Sequence, residues 1–135
     1  MRNWSTKSLQ VRATLDPRLQ TLVDELLEYM DVSLTCGFRS EEEQEEAVRT
    51  GHSQIHWPNG RHNQNPSVAV DMQPYPYPLN DADLHAALGY MAGLCRLIAE
   101  RNGFEVRWGG DWNRDGSVVD NKFDDLFHVE IYNAD

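Results

Sequence analysis

The spacing of hydrophobic positions along the chain predicts three helices. In the first, from Asp16 to Met30, leucines and a valine recur every three or four residues. The second begins after Ser40, which forms a capping box with the glutamate three residues later. The third begins after Asn80, carries one apolar stripe and ends near Gly103. Helices of this kind pack one apolar face against a core.

Alternating apolar and polar side chains predict four strands, at residues 32–36, 67–72, 104–108 and 127–132. Residues 52–66 have no apolar period and are predicted to form a long loop, a feature that is often functional in compact domains. The order of elements favours an α+β fold, in which a small antiparallel sheet has its helices packed on one side. The length of 135 residues fits one domain, residues 1–135.

The excess of acidic residues argues against some classes of binding partner. Asp and Glu outnumber Lys and Arg by 22 to 12, and the net charge of −10 argues against a nucleic-acid partner. No apolar run approaches the roughly 20 residues of a membrane-spanning helix, so we expect no membrane insertion. The first residues, 1–7, precede no apolar run either. We therefore expect no secretory signal and synthesis in the cytoplasm. We also expect a monomer.

The two cysteines, Cys36 and Cys95, lie among apolar neighbours. They lack the close pairing that is typical of thiolate zinc sites. We predict buried free thiols, although a disulfide between them is an alternative.

Candidate metal-binding side chains lie on two of the predicted strands. Each has an apolar face and a polar face, with Asp71 on the polar face of one and His128 on the polar face of the other. If these strands are neighbours, Asp71 and His128 meet on the open face of the sheet, and the preceding loop can add His62. Two imidazoles and a carboxylate would form a catalytic zinc site with a fourth position open to water. Asp125 could then take a proton from that water.

The alternative for the C-terminal stretch "DDLFHVE" is a solvated surface strand, because isolated Asp and His residues at strand ends are usually hydrated. His52, His56 and His85 are predicted to be solvated in this way. Glu130 either orients a metal ligand from behind or is an ordinary surface glutamate.

Two further features are candidates for function. Oxygen-bearing residues recur at the spacing of the first half of an EF-hand loop, which indicates a calcium site or an ordinary polar turn. The candidate calcium ligands are Asp111, Asn113, Asp115, Ser117 and Asp120. Trp108 and Trp112 flank two glycines and would either line a substrate groove or pack in the core.

Four sequence blocks occur in the order "CGFRSEEEQ", "GRHNQNPSVAVDMQPYP", "WGGDW" and "DDLFHVE". Together they resemble the zinc metallopeptidases that cut the peptide part of bacterial peptidoglycan, and they are most similar to small phage endolysins. This family includes D-Ala-D-Ala dipeptidases and carboxypeptidases as well as L-alanyl-D-glutamate endopeptidases. The resemblance implies that His62, Asp71 and His128 bind zinc. It also implies that Asp125 is the general base and that Arg39 contacts the substrate and stabilises the oxyanion.

The sequence departs from many relatives at two points. Gly60 stands where many have a serine, and the spacing between His62 and Asp71 is longer, as it is in phage-type members. Asp125 in place of the glutamate found in dipeptidases favours the endopeptidase branch.

The resemblance predicts a phage lysis enzyme that cuts the L-Ala–D-Glu bond of peptidoglycan stem peptides. It would act in the periplasm or cell wall after the host membrane is permeabilised. The alternative enzyme is a D-Ala-D-Ala dipeptidase or carboxypeptidase. A zinc-containing binding module is disfavoured, because Asp125 and Arg39 have no purpose in such a module.

Overall fold

The computed structural model describes residues 2–119 and 121–133. Along this part of the chain there are four helices and four strands, and the long loop holds a turn of 3-10 helix (Arg61–Asn63). In chain order they are α1 (Thr6–Arg12), α2 (Pro17–Tyr29), β1 (Val32–Cys36), α3 (Glu41–Arg49), β2 (Ala69–Pro74), α4 (Asp81–Arg101), β3 (Val106–Gly109) and β4 (Asp125–Ile131).

The four strands form an antiparallel sheet in the order β1-β2-β4-β3. The two central strands are therefore β2 and β4, which the sequence predicted to carry the chemistry. Their register pairs Val70 with Val129 and Asp71 with His128. Since side chains alternate across a sheet, the first pair faces the core and the second faces the opposite side.

The core lies between one face of the sheet and helices α2 and α4. Helix α2 contributes leucines that are fully buried, and α4 contributes Leu88, Met91 and Cys95 from its apolar stripe. From the sheet come Val70, Met72 and other aliphatic side chains. The α+β architecture predicted from the sequence is confirmed.

Helix starts follow the predicted caps. The Ser40 hydroxyl accepts a hydrogen bond from the Glu43 amide (3.3 Å), and the Glu43 carboxylate accepts one from the Ser40 amide (2.9 Å). Asp16 and Asn80 cap α2 and α4 with their side chains.

Helix α1 was absent from the sequence prediction. Its seven residues carry too few apolar positions to show a helical period. Instead it attaches to the sheet through buried Ser8, whose hydroxyl accepts a hydrogen bond from the Leu34 amide at 3.0 Å. None of the helices in the described ranges is long and apolar enough to cross a membrane.

Candidate metal centre and active site

Three side-chain atoms converge on the polar face of the sheet. Strand pairing places Asp71 beside His128, and the 3-10 turn brings His62 over them. The Nε2 atom of His62 lies 3.2 Å from Asp71 Oδ1 and 3.2 Å from His128 Nδ1. The third side of this triangle, from His128 Nδ1 to Asp71 Oδ1, measures 3.1 Å.

The triangle has the size and chemistry that a metal ion needs. Ligand atoms at the usual zinc bond length of ~2.0–2.1 Å lie about 3.3 Å apart in a tetrahedral site. Two imidazole nitrogens and a carboxylate oxygen are also a donor set that catalytic zinc takes. His62, Asp71 and His128 could therefore hold a metal without rearrangement of the chain.

Hydrogen bonds behind the triangle fix the tautomers of both imidazoles. His62 Nδ1 lies 2.7 Å from the carbonyl oxygen of Gly37, which can only accept, so this nitrogen carries the proton. His128 Nε2 lies 2.9 Å from Glu130 Oε1 and donates in the same way. Each ring is thus held by its outer nitrogen, which leaves the inner nitrogen to bind a metal once its own proton is lost.

The electrostatics of the centre are those of closely coupled buried groups. His62 and His128 are 4% and 6% exposed. Burial opposes the charged form of His62, but the negative charge and hydrogen bond of Asp71 outweigh it and raise the pKa of His62 to about 10. Burial likewise opposes the charge of Asp71, yet the charge of His62 and a hydrogen bond from His128 hold the pKa of Asp71 far below its ordinary value. In the metal-free protein these groups neutralise one another.

Asp125, the predicted base, begins strand β4 and lines the same pocket as the two histidines. Its carboxylate belongs with Asp71 and His128 to a group whose ligand atoms lie within 4.8 Å of one another. Burial first, and then the negative charge of Asp71, raises the pKa of Asp125. Its neighbour Asp124 is exposed and accepts a hydrogen bond from Asn121 at 3.0 Å. The two adjacent carboxylates thus occupy different environments.

Arg39 reaches the centre from the loop after β1. One guanidinium nitrogen lies 3.6 Å from Asp71 Oδ2, and another donates to Gln44 Oε1 at 3.1 Å. The Arg39 amide donates to the His62 carbonyl oxygen at 2.8 Å, and its own carbonyl accepts from Asn63 at 3.2 Å.

Gln44 and Asn63 are site residues that the sequence analysis did not single out. Both are buried, and the Asn63 amide donates to Gln44 Oε1 at 3.0 Å. Gln44 also ties α3 to the long loop, since its amide nitrogen donates to Ile55 and Ser53. The only sequence signal for them was their position within the "CGFRSEEEQ" and "GRHNQ" blocks.

A contact with Asn63 explains why position 60 is a glycine in this chain. A Cβ atom at this position would lie 2.6 Å from Asn63 Oδ1, the same oxygen that accepts the Gly60 amide hydrogen bond at 2.8 Å. A serine would therefore displace Asn63.

A pocket of about 800 Å³ opens in front of the centre. Trp112 lines it with its ring 5.5 Å from the His128 ring and tilted by 44°, and its indole nitrogen donates to the Phe123 carbonyl. Trp108 lies outside this lining, so the structure corrects its predicted place in the groove. It shares the core-facing side of β3 and packs against the core, because it pairs with core residue Val129 across the sheet.

The candidate calcium loop folds as a hydrogen-bonded polar turn. Asp111 accepts hydrogen bonds from the amides of Asp115 (3.1 Å) and Gly116 (2.9 Å), and Asp115 accepts one from the amide of Ser117 (2.8 Å). Asn113 accepts a longer one from the Asp115 amide. Of the residues described, none in this turn belongs to a converging metal-ligand group, and Asp120 lies outside the described residues. Calcium is thus without structural support.

Cys36 departs from the prediction of a buried thiol. It is only partly buried, and its Sγ lies 3.7 Å from His62 Nδ1. A β-bulge between Leu34 and Cys36 places it opposite Asp71. Cys36, His62 and Asp71 form a second converging ligand group, so a candidate metal site overlaps this position as well. Cys95 is buried, burial raises its pKa to about 12, and both thiols are free as predicted.

Comparison with known proteins places the chain in a family. The model of the family described as phage L-alanyl-D-glutamate peptidase matches residues 2–132. The chain belongs to this family. A search of curated proteins gave no significant match.

Solved structures point the same way. The L-Ala D-Glu endopeptidase ChiX of Serratia marcescens superposes with a TM-score of 0.71. It is 26% identical in sequence, and the match covers 96% of this chain and 89% of that one. The sequence-based resemblance is confirmed, and so is the prediction of a peptidase that cuts peptidoglycan between L-Ala and D-Glu. The D-Ala-D-Ala dipeptidase alternative is not favoured.

Proposed function

We propose that this member of the phage L-alanyl-D-glutamate peptidase family is a zinc enzyme that takes part in host lysis. The observation that carries the proposal is the triangle of His62 Nε2, Asp71 Oδ1 and His128 Nδ1, with sides of 3.1–3.2 Å. These three atoms are the proposed ligands. When bound, zinc supplies Lewis acidity, which polarises a carbonyl oxygen and acidifies water.

Asp125 is the proposed general base. Burial keeps its pKa above the ordinary value of an aspartate, which suits a group that takes and returns a proton. It accepts a proton from the attacking water and passes it to the leaving amine of D-Glu. Asp124, exposed and turned to Asn121, has no such role.

Arg39 is the proposed group that stabilises the oxyanion on the scissile carbonyl. Its contacts with Asp71, Gln44 and the backbone at His62 and Asn63 hold the guanidinium beside the centre before substrate arrives. A charge that is already oriented needs little reorganisation in the transition state.

The substrate is the stem peptide of peptidoglycan, and we propose that it enters the pocket along Trp112. The membership in a phage family supports synthesis in the host cytoplasm and action at the cell wall once the membrane is permeabilised. We further propose a monomer without a nucleic-acid partner, which the net charge of −10 supports.

One experiment tests both the bond and the metal. Purified peptidoglycan is digested with untreated, chelator-treated and zinc-restored protein, and the products are identified by mass spectrometry. We expect L-alanine termini on the glycan and stem peptides that begin at D-Glu, produced only when zinc is present. Release of D-Ala alone would contradict the bond, and unchanged cleavage after complete metal removal would contradict the zinc centre.

A further inference from the structure

An ionic cluster around the buried carboxylate of Glu130 adjoins the proposed zinc centre and lines the same pocket. Glu130 is only 2% exposed, although it is a glutamate on a strand. One carboxylate oxygen, Oε2, lies 3.1 Å from Arg61 Nε and 3.0 Å from Arg107 Nη2. The other, Oε1, accepts the hydrogen bond from His128 Nε2 at 2.9 Å. Both oxygens of one buried carboxylate are therefore in use.

We propose that Glu130, held by Arg61 and Arg107, is a positioning residue that sets the metal affinity of the centre. This inference rests on the proposed zinc site and adds the groups that keep its ligands in place. Glu130 acts on the centre through His128, and the three residues of the cluster also line the pocket.

The first step of the argument concerns the ring of His128. An imidazole can present Nδ1 to a metal only if the proton stays on Nε2. Glu130 Oε1 accepts that proton's hydrogen bond, and the two residues lie on the same face of β4. A charged acceptor behind a ligating histidine also makes the ring a stronger donor.

The second step concerns the orientation of Glu130 itself. Arg107 is its direct cross-strand partner on β3, and it also donates to the Trp112 carbonyl oxygen at 3.4 Å. Arg61 donates a second hydrogen bond to the Ile131 carbonyl at 2.9 Å. Two arginines fixed at their other contacts leave the carboxylate little freedom to rotate away from His128.

The third step joins the two histidines. Arg61 immediately precedes His62 in the 3-10 turn, whereas Glu130 follows His128 by two residues on β4. The Arg61–Glu130 ion pair thus ties the loop that carries one ligand to the strand that carries the other. Loosening Glu130 would disturb the spacing of both imidazoles as well as the tautomer of one.

The test compares Glu130→Gln with Glu45→Gln. Glu45 is also a carboxylate bound to a histidine, with 2.8 Å from His56 Nδ1 to Oε2, but this pair is exposed and outside the pocket. Zinc dissociation constants are measured by competition with a chromophoric chelator, and melting is measured without metal. Nitrogen NMR of His128 in the metal-free protein reports its tautomer.

We expect Glu130→Gln to weaken zinc binding by roughly 10- to 100-fold and to mix the tautomers of His128, while Glu45→Gln leaves both unchanged. Arg107→Lys, which keeps the charge but loses the planar fork, should weaken zinc binding in the same direction by less. It also serves as the readout if Glu130→Gln does not fold.

The outcomes are distinguishable. A wild-type protein that binds no zinc would overturn the proposed centre, and this inference with it. Zinc binding that is tight in the wild type and equally tight in Glu130→Gln or, if that variant does not fold, in Arg107→Lys would overturn the inference alone. The inference also fails if Glu130→Gln lowers the melting temperature without metal but leaves zinc affinity and the His128 tautomer unchanged.

Discussion

The proposed zinc centre and the polar turn at residues 111–117 offer similar ligand atoms in opposite surroundings. At the centre, atoms of His62, Asp71 and His128 lie within 3.2 Å of one another, and both imidazoles are buried. In the turn, the carboxylate oxygens of Asp111 and Asp115 accept hydrogen bonds from amides of the turn itself. The ligand atoms of the proposed centre face one another, whereas the carboxylates of the turn accept hydrogen bonds from the turn's own backbone.

The difference shows why ligand spacing along a chain is weak evidence for a metal site. A turn rich in Asp, Asn and Gly satisfies its own amides locally, and this alone explains its composition. The proposed zinc ligands come from a loop and two strands, and nothing local explains why two imidazoles are buried there. The following predictions test this contrast, beginning with the largest effect.

Removing a ligand from the centre should abolish activity. His128→Ala takes away one of three donor atoms, so we expect zinc binding and peptidoglycan cleavage to fall together to background. Metal content and cleavage rate are measured on the same preparation. The matched control is His85→Ala, which removes an exposed histidine on α4 and should change neither. Full activity in zinc-depleted His128→Ala would contradict the proposal that His128 is a metal ligand needed for cleavage.

Neutralising the base should separate chemistry from metal binding. Asp125→Asn keeps the shape of the side chain and all three ligands, so zinc should stay bound while the rate falls by roughly 10²–10⁴. The adjacent exposed residue gives the control: Asp124→Asn should retain nearly the full rate. An equal loss in both variants would show that the base is assigned to the wrong carboxylate.

Substitution of two glycines tests how well the sheet beside the centre and the polar turn each tolerate an added Cβ atom. A Cβ at Gly109 would lie 1.9 Å from the Asp125 carbonyl oxygen, so Gly109→Ala must push β3 from β4. We expect a loss of about 3 kcal/mol in the free energy of unfolding. Gly116 in the turn has a φ of +83° and open space around it, so Gly116→Ala should cost only about 1 kcal/mol. Denaturant titration measures both, and equal losses would contradict the prediction.

The smallest effect is expected from calcium. Zinc at 100 times its dissociation constant should stabilise the protein by about 2.7 kcal/mol through binding to the folded state alone. Calcium should change stability by less than about 0.5 kcal/mol, because carboxylate oxygens of Asp111 and Asp115 already accept hydrogen bonds from amides of the turn. Melting curves with each ion at constant ionic strength provide the measurement. A melting temperature that rises saturably with calcium in the wild type, but not in Asp111→Asn, would support a calcium site in this turn.

The helices and strands that were predicted correctly are those with strong local signals. Capping by Ser40 and Glu43 and the apolar stripes of α2 and α4 depend on neighbours within a few residues, so the sequence alone carries them. Helix α1 was not predicted because its one fully buried residue is a serine, bound to β1 at a position 26 residues away in the chain. Trp108 was ambiguous for the same reason, because only the pairing of β3 with β4 shows which face it takes.

What the sequence determined by itself was the family and the residue types of the site, because the four blocks preserve their order and their polar positions. The placement of His62, Asp71, His128 and Asp125 as ligands and base remains a prediction. Tertiary structure alone decided that these atoms converge, and that Gln44, Asn63 and the Arg61–Glu130–Arg107 cluster lie beside them. The physical reason is that local periodicity says which face a side chain takes, whereas strand order and loop closure decide what it meets there.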